Sequence, residues 1–207
     1  MLIKHIYYPI NCLGPGNRVG IWTVGCCHHC KGCISQNLWS FDQSKQTDIA
    51  GVINEIAKYK AQNADFGVTV SGGDPFLQED LLDLLHRINE LGIEDVLVYT
   101  GYTLEELLQK FPDFEQRYAQ YIGVLIDGRY VEELNDNLPL RGSSNQRVIF
   151  FKKSLIPRYQ DALAGERKFQ FKVTDDGKLN VYGVPPKGFL DKISKDCLKK
   201  GVIYFPM

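Results

Sequence analysis

Short apolar runs of strand length alternate along this chain with longer stretches whose apolar residues recur at helical spacing. Residues 18–24 (RVGIWTV) read as a strand running into a cysteine-rich loop, and residues 47–62 as a helix with Ile49, Val52, Ile53, Ile56 and Ala57 on one face. The pattern then repeats. Residues 66–71 are β-rich and end in a glycine turn, residues 78–91 carry leucines at helical spacing, and residues 95–100 form the next predicted strand. Residues 103–110 follow as a helix, with Thr103 and Glu106 spaced as a capping box. Two further apolar runs of strand length are residues 121–126 and 147–151.

Strands separated by helix-length segments imply right-handed βαβ units and a mostly parallel sheet. In such sheets the chemistry gathers at the C-terminal ends of the strands. Segments 25–33, 72–75, 101–102 and 127–128 each follow a predicted strand directly, so polar or glycine-rich turns on one sheet edge are expected to make a site. The last part of the chain differs. Residues 168–174 and 178–182 alternate apolar and polar positions around Asp175-Asp176-Gly177, which signals a β-hairpin, and a short helix is expected near residues 187–199. There is no internal repeat, low-complexity tract or clear linker. Residues 152–207 are therefore expected to pack as an extension on a core of residues 1–151, not to fold as an independent domain.

Composition narrows the field by exclusion. A chain of 207 residues can bury a core without disulfide staples, and one domain is the default. With 24 basic and 25 acidic residues, no global field drives it onto nucleic acid or anionic lipid. No apolar run approaches the roughly 18 residues that span a bilayer, and the opening MLIKHIYYPINCLGPG lacks the apolar core and small-residue cleavage site of a signal peptide, so a cytoplasmic protein is expected. Six cysteines remain to be explained: Cys12, Cys26, Cys27, Cys30, Cys33 and Cys197. Four of them crowd into VGCCHHCKGC, which in a reducing compartment reads as metal or redox chemistry before it reads as a disulfide framework.

Cys26, Cys30 and Cys33 have the spacing CxxxCxxC. Three thiolates from one tight loop can hold three corners of a cubane 4Fe-4S cluster and leave the fourth iron open to the amino and carboxylate groups of a small molecule. Gly25 and Gly32 allow the backbone to turn closely around the sulfurs. The loop alone also admits zinc, since Cys27, His28 and His29 could complete a tetrahedral set with their neighbours. Ser71-Gly72-Gly73-Asp74-Pro75 adds a second feature: two glycines permit close approach, and an acidic side chain can accept hydrogen bonds from a ligand ammonium.

Taken together, Gly14-Pro15-Gly16, VGCCHHCKGC, SGGDP, VYTGYTLEEL and Leu125-Ile126-Asp127-Gly128 followed by LRGSSNQRVI resemble the radical S-adenosylmethionine (SAM) superfamily. They are most similar to the activating proteins of anaerobic ribonucleotide reductase. The resemblance implies a partial (β/α) barrel, here with a C-terminal β-hairpin and helix appendage. It also implies a reduced 4Fe-4S cluster that donates an electron to SAM, yielding methionine and a 5'-deoxyadenosyl radical. In the activases that radical abstracts hydrogen from a glycine of a large glycyl radical enzyme, with flavodoxin or ferredoxin as electron donor. Carried over residue by residue, the resemblance implies that Cys26, Cys30 and Cys33 ligate the cluster and that Gly72, Gly73 and Asp74 contact the methionine end of SAM. Asp127 matches the acidic residue that meets the ribose hydroxyls, and Thr100 and Gly101 pass near SAM. Arg147 pairs either with the SAM carboxylate or with a surface acid.

The chain also departs from the family's pattern. Cys27 stands where an apolar residue or proline is common and reads as an inert small residue, while His28 and His29 read as loop residues. Cys12 and Cys197, remote in sequence, read as buried small hydrophobes. The shortest activases end soon after the SSNQR segment, whereas this chain continues to Met207. Direct modification of a small molecule or peptide, with the added tail as substrate wall, is the rival within the same chemistry, and a non-catalytic zinc-binding module is the rival from another class.

Overall fold

The computed structural model describes residues 1–63, 65–173, 175, 179–189, 192 and 204–206. Six strands form one sheet in chain order: β1 (Ile3–Ile10), β2 (Asn17–Thr23), β3 (Phe66–Gly72), β4 (Val96–Tyr99), β5 (Val124–Asp127) and β6 (Arg147–Phe150). β2 to β5 run parallel, and the flanking pairs β1/β2 and β5/β6 are antiparallel. Helices α1 (Ile49–Lys60), α2 (Leu81–Glu90) and α3 (Leu104–Lys110) occupy the three crossovers between the parallel strands. The result is a mixed α/β fold with a parallel-rich sheet, as the alternation of periods predicts.

Each crossover helix has a local reason to start where it does. Asp48 caps α1 by accepting the Gly51 N–H at 3.1 Å, and Ile49, Val52 and Ile56 bury one face of the helix. α2 buries Leu81, Leu84, Leu85 and Ile88 at the same spacing. At α3 the predicted capping box is complete: Thr103 accepts the Glu106 N–H at 3.2 Å, and the Glu106 carboxylate accepts the Thr103 N–H at 2.8 Å. Alternation along the strands divides the core. Val68, Val70, Val96, Val98 and Leu125 pack in one cluster with α1 and α2, while Leu97, Val124 and Ile126 belong to a second cluster on the other face with Leu155 and Tyr159. Tyr159 lies on helix α4 (Ile156–Ala164), which closes that face.

A polar network staples the N-terminal edge of the sheet. Arg18, fully buried at the start of β2, donates from Nη1 to Asp95 Oδ2 at 2.6 Å and from Nη2 to Asp95 Oδ1 at 3.0 Å. Its Nε donates to Thr69 Oγ1 at 2.8 Å, whose hydroxyl in turn donates to the Leu13 carbonyl at 2.7 Å. From α4, Tyr159 Oη and Arg158 Nε both reach Asp95 at 2.7 Å. One carboxylate thus ties β2, β4 and α4 together.

Residues beyond α4 form a second, small sheet. β7 (Phe169–Val173) and β8 (Leu179–Gly183) pair antiparallel as the hairpin signal predicts, and β9 (Tyr204–Pro206) joins β8 in parallel. The hairpin rests on β1. Tyr182 stacks on Tyr7 with ring centroids 4.6 Å apart and packs against His5 and Trp22, and Gln170 donates to the Pro9 carbonyl at 2.9 Å. The helix expected at residues 187–199 and the Asp176-Gly177 turn fall largely or wholly outside the described residues. Strand β1 and helix α4 are elements that the periodicity does not reveal: β1 interleaves Lys4 and His5 with aromatic residues that are only half-buried, so its two faces are not distinguished by polarity. Among the described residues no helix is long and apolar enough to cross a membrane.

Because Asp95 is buried, removing its principal cation leaves an uncompensated charge. Arg18→Met is expected to lower the free energy of unfolding by about 3–5 kcal/mol, read as a lower denaturant midpoint. An unchanged midpoint would show that the network is not part of the stability of the sheet.

Candidate functional site

The C-terminal edge of the parallel strands opens on a cavity of about 370 Å³. The loop after β2 brings Cys26, Cys30 and Cys33 to its wall, the turn after β3 brings Gly72, Gly73 and Asp74, and the end of β4 brings Thr100 and Gly101. From β5 it is Gly128 that lines the cavity, one residue beyond Asp127.

The cysteine loop is anchored at its start and turns sharply within. Gly25 N–H donates to the Leu38 carbonyl at 2.7 Å and Cys26 N–H to the Trp39 carbonyl at 2.9 Å, fixing the entry of the loop against the turn that follows it. The backbone is left-handed at His29 and Gly32, with φ of 48° and 74°, and Cys33 N–H donates to the Cys30 carbonyl at 3.1 Å. Burial pushes the Cys26 thiol up to about 11 and raises the Cys33 thiol as well. Thiolates in such surroundings need a compensating cation, which bound iron supplies. Among the described residues no group of three His, Cys, Asp or Glu side chains converges on a single-ion site. Three cysteine sulfurs brought to one cavity wall by a single loop are a donor set that fits a 4Fe-4S cluster.

Cys27 is exposed, with Sγ 3.9 Å from Tyr102 Oη. Cys12 is buried, and burial pushes its thiol up to about 12, as befits a small hydrophobe. Cys197 lies outside the described residues.

The turn after β3 approaches the cysteine loop as closely as backbone can. Gly73 N–H donates to the Thr23 carbonyl at 2.8 Å and Asp74 N–H to the Gly25 carbonyl at 2.9 Å. A Cβ on Gly73 would stand 2.3 Å from the Gly25 carbonyl oxygen, so no larger residue fits there without moving the loop. The Asp74 side chain, 1% exposed, is saturated by protein donors: Phe76 N–H at 2.9 Å, Thr100 Oγ1 at 3.0 Å, Gly101 N–H at 2.9 Å and His28 Nε2 at 2.6 Å. Sequence reasoning sets His28 aside as a loop residue. Its spacing, midway between Cys26 and Cys30, carries no signal of an inward-pointing ring.

Asp127 and Arg147 are brought together, but not onto the cavity wall. The buried Asp127 carboxylate accepts the Leu104 N–H at 2.7 Å, capping the start of α3, and forms an ion pair with the Arg147 guanidinium. Arg147 also makes a two-pronged contact with Glu105 at 2.7–2.8 Å, and that pairing pulls the Glu105 carboxyl down to about 2. Of the two partners expected for Arg147, these are acids of the protein. Gln146, inside the SSNQR segment, reaches the cavity instead and donates to the Gly128 carbonyl at 2.8 Å. The extension also lines the cavity, through residues 183–188, with Arg167 donating to the Pro185 carbonyl at 3.4 Å and to the Arg141 carbonyl at 2.7 Å. No pattern of residue types in that segment marks it as a wall.

Residues 12–149 match the family model of the 4Fe-4S single cluster domain. The chain is 38% identical over 151 residues to the anaerobic ribonucleoside-triphosphate reductase-activating protein of Vibrio cholerae, covering 70% of this chain and 95% of that protein. It is 38% identical over 156 residues to the protein of that name from Haemophilus influenzae and 34% identical over 153 residues to that from Escherichia coli, in each case covering 70% of this chain and 96% of the relative. A loop of three cysteines at the C-terminal edge of a parallel-rich sheet defines an iron-sulfur protein of the single-cluster class. Within that class, the chain belongs to the family of anaerobic ribonucleoside-triphosphate reductase-activating proteins.

Asp127 holds both a helix start and a guanidinium, so Asp127→Ala removes the acceptor for two donors at once. A loss of about 2–3 kcal/mol in unfolding free energy is expected. Equal stability of Asp127→Ala and wild type, in thermal or denaturant unfolding, would contradict the capping role.

Proposed function

We propose that this chain is a radical SAM activase that installs a glycyl radical on a large partner enzyme, an anaerobic ribonucleotide reductase of the kind named for its relatives. The observation that carries the reading is the convergence of Cys26, Cys30 and Cys33 with Gly72, Gly73, Asp74, Thr100 and Gly101 on one cavity. In this reading the three cysteines hold a 4Fe-4S cluster, the turn after β3 faces the methionine end of SAM, and Thr100 and Gly101 flank it. The fold is then a partial (β/α) barrel of the radical SAM type, for which the four adjacent parallel strands and their crossover helices are the support. When bound, the reduced cluster supplies the electron that cleaves SAM to methionine and a 5'-deoxyadenosyl radical; flavodoxin or ferredoxin is the proposed donor.

The residues of this chain do the rest. The glycine turns let backbone approach the cofactor, the cavity walls keep water from a reactive radical, and the mouth must admit a glycine-bearing loop of the partner. Asp127 serves this site by holding α3 and Arg147 in position, and a ribose contact from it requires the Arg147 pair to open. Residues 152–207 belong to the same folding unit as residues 1–151. The docking of Tyr182 on Tyr7 and the closure of the Asp95 network by α4 support this.

One observation favours a second reading, direct modification of a small molecule or peptide. The wall formed by residues 183–188 lies outside the segment that matches the family model, and it narrows a cavity that an activase must keep open to a protein loop. Anaerobic reconstitution followed by dithionite reduction separates the two. SAM cleavage together with a glycyl radical signal on an added anaerobic ribonucleotide reductase supports the activase. Cleavage with no radical on that partner supports the second reading, and a protein that binds zinc but no iron excludes both.

Single changes of Cys26, Cys30 or Cys33 to Ala are expected to abolish iron binding and SAM cleavage, while Cys27→Ala retains both. Iron lost from Cys27→Ala as completely as from Cys30→Ala would overturn the ligand assignment. A further expectation concerns the wall. Replacing Pro185 and Pro186 together by Gly should raise SAM cleavage in the absence of partner relative to radical yield in its presence, because a loosened wall shields the radical less well. An unchanged ratio would show that residues 183–188 are passive.

A further inference from the structure

The His28 side chain leaves the cysteine loop and enters the protein. Its ring is almost fully enclosed, with 4% of the side chain exposed, although its neighbours Cys27 and His29 are exposed. Three separate contacts receive it. Nε2 donates to Asp74 Oδ2 at 2.6 Å. The ring stands edge-on to Tyr102, centroids 4.6 Å apart at 79°. At Gly101 a Cβ would lie 2.4 Å from His28 Cδ2, so only glycine leaves room for the imidazole. The end of β4 is thus shaped to accept this ring, and the carboxylate that meets it is otherwise occupied by donors from β4 and from the turn after β3.

We infer that His28 is a positioning residue: its bond to Asp74 ties the cysteine loop to the turn after β3 and so sets the distance between the cluster held by the loop and the SAM held by the turn. The inference rests on the function proposed above and adds to it a named link between the two halves of the site. The physical reason is geometric. A ligand bridging a metal centre and a backbone turn binds well only if the two are held at the right separation, and an error of about 1 Å is costly. Loop and turn already share the short bond from Asp74 N–H to Gly25 O, but that bond lies at the entry of the loop. His28 supplies a second tie between Cys26 and Cys30, and two ties on one loop fix its orientation as well as its distance. Tyr102 extends the tie toward β5, since its carbonyl accepts the Gly128 N–H at 2.9 Å.

The test compares His28→Ala, His28→Gln and Gly101→Ala with wild type after anaerobic reconstitution. Gln retains an N–H at nearly the reach of Nε2, whereas Ala at Gly101 crowds the ring while leaving residue 28 itself unchanged, and, since Gly101 also lies beside SAM in the proposed function, His28→Ala and His28→Gln carry the decision. For His28→Ala and Gly101→Ala, iron and sulfide per chain are expected to match wild type. SAM affinity should fall about tenfold, and the change that SAM causes in the electron paramagnetic resonance spectrum of the reduced cluster should be lost or reduced. His28→Gln should recover most of both. In the cofactor-free proteins, amide hydrogen exchange across residues 26–33 should be faster in His28→Ala than in wild type.

Iron lost from His28→Ala as from Cys30→Ala would make His28 a ligand and overturn the inference. So would unaltered SAM affinity and spectrum in His28→Ala, or a failure of Gln to restore them, which would reduce the ring to packing. Wild-type protein that holds no cluster or cleaves no SAM would instead defeat the underlying function. In that event the exchange experiment still judges the tie, and unchanged exchange would refute it.

Discussion

Everything at the catalytic edge depends on one buried carboxylate finding enough donors. A carboxylate without solvent is tolerable only when its lone pairs are filled by hydrogen bonds. Asp74 meets that requirement by drawing on separate parts of the chain: Phe76 N–H from its own turn, Thr100 and Gly101 from the end of β4, and His28 from the cysteine loop. The demand of one side chain for partners therefore sets where three loops end. No apolar contact could do this with the same precision, because dispersion has no preferred direction, whereas each of these donors must point at an oxygen.

The two edges of the sheet solve the same problem for different ends. At the N-terminal edge, Asp95 is filled by Arg18, Arg158 and Tyr159, groups that carry charge or long reach and hold whole elements together. At the C-terminal edge, Asp74 is filled mostly by backbone N–H groups, a hydroxyl and an imidazole, which are short and hold loops. The first arrangement makes the sheet rigid. The second leaves a cavity beside it, because short donors bring backbone close without filling the space above the strands. Glycine at positions 72, 73 and 101 is the covalent expression of that economy of volume.

How much of this was legible in the sequence follows from which forces leave a periodic trace. α1, α2 and α3 were readable because burial of one face imposes a period, the strands β2 to β6 because they leave short apolar runs of strand length, and the Thr103–Glu106 box because capping has a fixed spacing. β1 and α4 were not, since their partners are aromatic residues and a polar network that sit at no regular interval. The cysteines, the glycine turn and Thr100-Gly101 could be assigned to one edge because each follows a strand. Their mutual bonds could not: the reach of His28 to Asp74 joins residues 46 positions apart and depends on a ring fitting a gap at Gly101. Asp127 shows the converse limit. Its position at a strand end was legible, but that Arg147 and the Leu104 N–H would already occupy it was not.

The extension extends this reasoning beyond the matched family segment. A hairpin is marginal by itself in water, and β7 and β8 persist by resting on β1 through Tyr182, Tyr7 and Gln170. That docking has a geometric consequence, since β8 ends at Gly183 beside Cys12, and the chain that leaves it must cross the open edge of the parallel strands. Arg167 then fastens the crossing segment by donating both to Pro185 and to the loop that carries Arg141. The wall at residues 183–188 is thus where it is because of what holds the hairpin. A tail added for stability on β1 would reach the same cavity, so any effect it has on access to the site is coupled to its packing. Trp22, against which Tyr182 packs, also lines the cavity, so the surface that holds the hairpin adjoins the site.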